Sequence, residues 1–132
     1  MNECKVVAAA IIEREGQYLI ARRALGEKLA GAWEFCGGKV DPRETPEQCL
    51  SRELHEELGI DAVIGDFFTE TCHRYAHGEF LLKAYRVPSY TGEITLTVHD
   101  QLAWVPVNEL TSFDLLPADI PIAQKLQKEH HV

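Results

Sequence analysis

The stretch from Thr45 to Gly59 constrains this chain more than any other, because it carries a full set of helix start and stop signals. Thr45 stands where an N-cap belongs, Pro46 suits the first helical position, and Gln48, three residues after the cap, completes a capping box. Gly59 ends the helix as its C′ residue. Leu50, Leu54 and Leu58 recur every four residues, so the helix has an apolar stripe that must pack against something. The opposite side carries Glu53, Glu56 and Glu57 at i, i+3 and i+4. Like charges so spaced destabilise a helix by roughly 0.2–0.5 kcal/mol per pair, and the last two lie toward the C-terminus, where the dipole disfavours anions. A compensating positive charge is expected. Arg52 is one source, although its place next to Glu53 turns it about 100° round the helix, toward Glu44. A hard divalent cation fits better, since Mg²⁺ takes oxygen ligands from one or two carboxylates and completes its shell with water and substrate phosphates. On the helix alone, a merely solvated acidic face stands as the alternative.

Residues 26–46, ahead of the helix, hold four glycines and two prolines with little periodicity, and read as one long loop. A loop of that length in a small domain usually binds something. Within it, Gly37 and Gly38 let the backbone approach a ligand closely and can turn a carbonyl toward a metal, while Lys39 offers a point charge for phosphate. The formal charge of −8 excludes a general surface for DNA or RNA, whose affinity comes from clustered Lys and Arg. If the substrate is a phosphate compound, metal ions must supply much of the positive charge. The apolar run at residues 6–12 falls far short of the roughly 20 residues that span a bilayer, and no charged leader precedes it, so a cytoplasmic protein without a membrane partner is expected. Cys4, Cys36, Cys49 and Cys72 are scattered, with no CxxC pair and no spacing of the kind a zinc site or a small disulfide scaffold uses, and are read as reduced thiols.

The 132 residues are expected to form one domain, 1–132. Residues 6–12 and 18–21 flank the turn Glu15-Gly16 and read as a hairpin. Further strands are expected at 62–71, 79–87, 93–98 and 102–105, and a second helix at 119–129 that Asp119 can cap. Strands, helix, strands, helix without regular βαβ alternation predict a mixed sheet between helices, an α+β or α/β/α sandwich.

From Gly38, five residues lead to Glu44, and seven more to Arg52-Glu53-Leu54, followed by His55, Glu56-Glu57, Leu58, Gly59 and Ile60. This series resembles the Nudix box of the Nudix hydrolases at every specified position. Val7-Ala8-Ala9, residues 19–23, Trp33-Glu34-Phe35, Trp104 and residues 116–119 are similar to the MutT and CTP pyrophosphohydrolase branch. The resemblance implies the Nudix fold, a Mg²⁺ or Mn²⁺ requirement, and hydrolysis of a nucleoside triphosphate to the monophosphate and pyrophosphate.

Carried onto this chain, the resemblance implies that Glu56, Glu57 and the Gly37 carbonyl are metal ligands, with Glu53 a water-orienting base or a further ligand. Glu44 and Arg52 hold the loop on the helix, with Gly38 and Gly59 as structural members of the motif. Arg23, Glu34, Lys39 and Asp119 are the expected substrate contacts. Two departures stand out: Cys36 replaces a common Pro, and Val98 occupies a position where relatives often carry a further Glu. Asp100 either substitutes for that Glu or is a turn residue. An ionised Asp119 only accepts hydrogen bonds, which suits the amino group of cytosine and points to (d)CTP or 5-methyl-dCTP. A protonated Asp119 would donate to a purine carbonyl, which points to 8-oxo-dGTP. The plain reading is that Asp119 only caps the last helix. Tyr75, Phe80 or Trp33 would either stack on the base or belong to the core. A nucleoside-diphosphate-sugar hydrolase and a non-catalytic nucleotide-binding module complete the alternatives, and the protein would be a monomer or a homodimer.

Overall fold

Strand β1 (Cys4–Arg14) is the spine of the molecule, and residues 8–12 within it are buried on both faces. Successive side chains of a strand point to opposite sides. Ala9 and Ile11 therefore enter one core with Ile122, Ala123 and Leu126 of helix α2 (Ile120–Glu129), while Ala8, Ala10 and Ile12 enter another with Leu50, Leu54 and Leu58 of helix α1 (Pro46–Leu58). The expected α/β/α sandwich follows from that division. The computed structural model describes residues 4–130.

The sheet is mixed, as predicted. β1 runs parallel to β7 (Gly78–Val87), which pairs antiparallel with β6 (Phe67–Tyr75). On its other edge β1 pairs antiparallel with β4 (Gly37–Lys39) and, at its far end, with β2 (Gln17–Arg23) through the predicted hairpin. β2 continues to β3 (Trp33–Glu34) and β9 (His99–Pro106). A separate ribbon joins β5 (Asp61–Val63) to β8 (Ser89–Thr91).

Helix α1 starts and stops where its signals lie. Thr45 Oγ1 accepts from the Gln48 N–H at 3.1 Å and Gln48 Oε1 accepts from the Thr45 N–H at 2.9 Å, so the capping box is closed. Gly59 has φ 72°, a left-handed conformation, and its N–H donates to the His55 carbonyl at 3.0 Å.

Four expectations need correction. The predicted strand at 62–71 is two strands, β5 and β6, because residues 61–63 pair with β8 and not with the main sheet. The segment 93–98 is not a strand: the Thr95 N–H donates to Leu58 O at 2.9 Å and the Thr97 hydroxyl to Glu56 O and Glu57 O at 3.1 and 3.0 Å. It is spent on the carbonyls that the end of α1 leaves unpaired. The loop 26–46 contains the short strands β3 and β4. Helix α2 begins at Ile120, and Asp119 makes no side-chain capping bond. Among the described residues no helix is long and apolar enough to cross a membrane.

Gly37 and Gly59 set two different steric limits. A Cβ on Gly37 would stand 1.8 Å from the Ala8 carbonyl oxygen, and one on Gly59 would add a left-handed strain and meet Thr95 Oγ1 at 3.0 Å. Gly59→Ala should therefore lower the unfolding free energy by about 1–2 kcal/mol. Gly37→Ala should cost about 3 kcal/mol or more, since the obstacle is backbone within a buried strand pair. Urea unfolding of the two variants checks the order, and equal effects would contradict it.

Candidate active site

The site begins with the short strand β4. Gly37 and Gly38 pair with Ala9 and Ala8, and the Glu53 side chain lies directly on Gly38, where a Cβ would be 2.3 Å from Glu53 Cδ. The Cys49 thiol donates to the carbonyls of Gly38 and Lys39 at 3.5 and 3.3 Å, which ties β4 to α1 from below.

Arg52 is the hub of the motif. Its guanidinium grips Glu44 at two points, Nη2 to Oε1 at 2.6 Å and Nε to Oε2 at 3.2 Å, and its Nη1 reaches Glu53 Oε1 at 2.8 Å and Glu56 Oε2 at 3.4 Å. Both sequence readings of Arg52 are met at once. Hydrogen bonds from Arg52 first, and from the Asp41 N–H second, hold the Glu44 carboxyl down at about 2. These bonds join Glu44 in the loop to Arg52 on the helix.

Glu57 has no such partner. Its Oε1 is buried without a hydrogen bond, and burial first, then the charges of Glu53 and Glu34, push its carboxyl up to about 8. Glu57 lines a cavity of about 320 Å³ together with Arg23, Glu34, Lys39, His99 and Asp119. Phe35, Tyr75, Phe80, Leu82 and Leu116 supply apolar walls, and the backbones of Gly37 and Gly38 form part of the rim. Glu53 stays under Gly38, clamped by Arg52, and Glu56 is exposed at the outer edge of the helix.

Opposite the helix, Glu34 bridges two side chains. Its Oε1 accepts from Arg23 Nη1 at 3.1 Å and its Oε2 meets His99 Nε2 at 2.8 Å. His99 is buried and its Nδ1 has no partner. No signal in the sequence singles out His99, because the pattern places a strand at 102–105 whereas β9 begins at His99. Its position beside Val98, where a carboxylate was missing, is the one hint the sequence offered.

Asp119 sits at the back of the cavity, almost fully buried, with Oδ2 accepting from the Phe35 N–H at 2.9 Å. Burial first and the Glu34 charge second raise its carboxyl well above the usual range. That differs from the ionised, acceptor-only group of the cytosine argument. Tyr75 and Phe80 line the cavity, and the Tyr75 hydroxyl accepts from the Ala118 N–H at 2.9 Å. Trp33 does not line it and packs edge-on against Phe113 at 5.1 Å. Asp100 lies in β9, pairs with Arg22 at 2.8 Å, and does not line the cavity, whereas Val98 does.

The cavity thus brings Glu57 and the Gly37-Gly38 backbone together with Glu34, His99, Arg23 and Lys39, and includes the buried Asp119 among aromatic and aliphatic groups. The family model described as the NUDIX domain matches residues 3–126. The CTP pyrophosphohydrolase of Escherichia coli K12 is 42% identical over 118 residues, covering 89% of this chain and 87% of that protein. The 8-oxo-dGTP diphosphatase of Haemophilus influenzae is 36% identical over 126 residues, covering 95% and 93%. The solution structure of the E. coli ORF135 protein is 38% identical and superimposes with a TM-score of 0.89 over 98% of this chain and 93% of that one. A match over nearly the whole chain, joined to a relative 42% identical across 89% of it, makes this chain a member of the Nudix hydrolase family.

Proposed function

We propose that the chain is a single Nudix domain, 1–132, which hydrolyses a nucleoside triphosphate to the monophosphate and pyrophosphate with Mg²⁺ as cofactor, Mn²⁺ substituting, and cytosine nucleotides as substrates. The observation that carries this reading is Glu57 Oε1, a buried carboxylate oxygen with no donor, in a cavity shared with Glu34 and close enough to Glu53 for the charges of both to raise it. Nudix hydrolases generally use divalent cations. An uncompensated buried carboxylate is costly, and a hard cation with oxygen ligands relieves it. The donor set therefore fits, and Glu53, Glu56, Glu57 and the Gly37 carbonyl would hold the ion. When bound, it supplies Lewis acidity and the positive charge that a chain of net charge −8 lacks.

The rest falls to side chains of the protein. Glu53, fixed by Arg52 and by the Gly38 backbone, orients the attacking water and accepts its proton. Water adds to phosphorus, the anhydride P–O bond breaks, and pyrophosphate departs. Lys39 meets the phosphates at the rim. Arg23 does so from the other side, held in place by Glu34, which His99 holds in turn. The base enters the apolar end, where Asp119 reads its edge.

Cytosine rests on the relative named CTP pyrophosphohydrolase and on Asp119 as an acceptor. A second reading, hydrolysis of 8-oxo-dGTP, is favoured by the raised Asp119 carboxyl: in its neutral form that group donates to a purine carbonyl. The deciding experiment is a panel of dCTP, 5-methyl-dCTP, dUTP and 8-oxo-dGTP with separate readout of pyrophosphate and phosphate. Pyrophosphate release should require millimolar Mg²⁺ or Mn²⁺ and stop in EDTA. Activity that persists in excess EDTA would sink the mechanism.

Glu57→Gln keeps the shape and removes the charge. Its kcat should fall at least about a hundredfold, the scale of losing one strong electrostatic contact in the transition state. In the metal-free protein the sign reverses. A carboxyl raised from 4.5 to about 8 on folding favours the folded state at low pH, and that contribution is lost as pH rises from about 4.5 through 8. Glu57→Gln should therefore be more stable than the parent at pH 8.5 in EDTA, by roughly a few kcal/mol, with the two converging near pH 4. Thermal unfolding in EDTA across this range checks it, and parallel curves would contradict the assignment.

For Asp119, the dCTP to dUTP ratio of kcat/KM should exceed about tenfold, since a carboxylate facing the uracil carbonyl meets a second acceptor. Because its carboxyl is raised, ionisation comes late, so the preference for dCTP over 8-oxo-dGTP should grow as pH rises. Asp119→Ala should flatten both trends. An unchanged ranking in that variant would leave Asp119 a purely structural residue.

A further inference from the structure

The sheet face turned away from the cavity carries a second group of potential ligands. Val7 of β1, Tyr75 of β6 and Phe80 of β7 line the cavity. Counting by alternation from them, Cys4, Cys72 and Glu79 point to the other side. There, beyond the end of α1, Cys4 Sγ and Cys72 Sγ stand 4.0 Å apart, Cys72 Sγ is 3.7 Å from Glu79 Oε1, and all three atoms lie within 4.8 Å of one another.

A disulfide does not account for this arrangement. β1 and β6 both pair with β7 and not with each other, Cys4 opposite Glu79 and Cys72 opposite Leu81, so their backbones are at least two strand spacings apart, about 9.5 Å or more. Disulfides need Cα atoms within about 4.4–6.8 Å. The two side chains instead reach toward each other over Glu79, which lies opposite Cys4 in the β1–β7 register.

A tetrahedral cation accounts for it well. With Zn–S at about 2.3 Å, two sulfurs on one Zn²⁺ stand about 3.8 Å apart, and with Zn–O at about 2.1 Å a sulfur and an oxygen stand about 3.6 Å apart. The observed separations, 4.0 and 3.7 Å, agree within the tolerance expected of a metal site. Charge balances too. Two thiolates and a carboxylate carry −3, and Zn²⁺ with Arg74, whose Nη2 holds Glu79 Oε2 at 3.2 Å, supplies +3. We propose that Cys4, Cys72 and Glu79 form a second metal site, for Zn²⁺, which pins β1, β7 and β6 together and leaves the fourth position to water. On binding, each thiol releases its proton to solvent and two Zn–S bonds form, with no change of oxidation state. Arg74 fixes the carboxylate from behind, as outer partners of metal ligands do.

The test uses the full chain, reduced with a phosphine, and Co²⁺ as a coloured substitute. Oxygen ligands at the glutamate helix give no thiolate-to-metal charge-transfer band, so the two sites are told apart by spectrum. The near-ultraviolet band should saturate at one Co²⁺ per chain, disappear on adding Zn²⁺, and be absent in Cys4→Ser and in Cys72→Ser. Arg74→Ala should weaken binding about tenfold. Cys4→Ser should hydrolyse nucleoside triphosphates like the parent. Zn²⁺ should also shield Cys4 and Cys72 from alkylation, with buried Cys36 and Cys49 as the internal reference. A band that survives either serine substitution, no band in the reduced parent, or a mass loss of two hydrogens with Cys4 joined to Cys72 under Zn²⁺ would each overturn the site.

Discussion

Between the Ala8 carbonyl and the Glu53 side chain there is room for the backbone of Gly37 and Gly38 and for nothing else. That constraint ties three layers of the molecule to one another. β4 is only three residues long and could not hold its own register, yet a slip by one residue would drive Cys36 into the Ala8 carbonyl in one direction or Lys39 into the Glu53 side chain in the other. The register of β4 fixes where Glu53 can lie, and Glu53 fixes α1 through the Leu stripe beneath it. Arg52 and Cys49 close the assembly by gripping Glu44 in the loop and the Gly38 and Lys39 carbonyls. Loop, helix and sheet are each correct only if the other two are.

The same tightness divides the positive charge. Arg52 is consumed by Glu44, Glu53 and Glu56, and Arg23 by Glu34. Glu57 and Asp119 face the shared cavity with neither, and both carboxyls are raised, burial being the larger cause and neighbouring carboxylates the next. An acidic chain has thus placed its permanent cations where they hold the scaffold and left one carboxylate oxygen for something from outside. A lysine in that place would neutralise Glu57 more simply, but it would fill part of the cavity.

Local signals made α1 and its boundaries legible, because a cap, a stripe and a glycine stop act within a few residues. The segment 93–98 shows the limit of pattern. Ile94 and Leu96 do pack on the α1 side of the sheet, as their alternation suggests, but the hydrogen bonds of the segment go to the end of the helix and not to a strand. Side-chain period reports which face is buried and says nothing of which partner takes the backbone. The site divides along the same line. Gly37 to Glu57 could be read from spacing, whereas the contact of His99 with Glu34 spans 65 residues and the orphaned oxygen of Glu57 exists only once the sheet is in place.

Asp119 shows how a residue with an obvious local role is drawn into a distant one. A helix start normally gains about 1 kcal/mol from a capping side chain, and Asp is among the best residues for it. At α2 the need is small. The preceding turn already supplies the Leu116 carbonyl to the N–H groups of Asp119 and Ile120 at 2.9 and 3.3 Å, and Pro121 in the first turn has no N–H to satisfy. The Phe35 N–H has the greater need, since a buried donor left unpaired costs about 1–3 kcal/mol. Turning the carboxylate from the helix to Phe35 therefore loses little stability and removes a larger penalty. It also leaves a buried polar group lining the cavity beside Phe35 and Leu116, set there by a demand of the protein's own backbone.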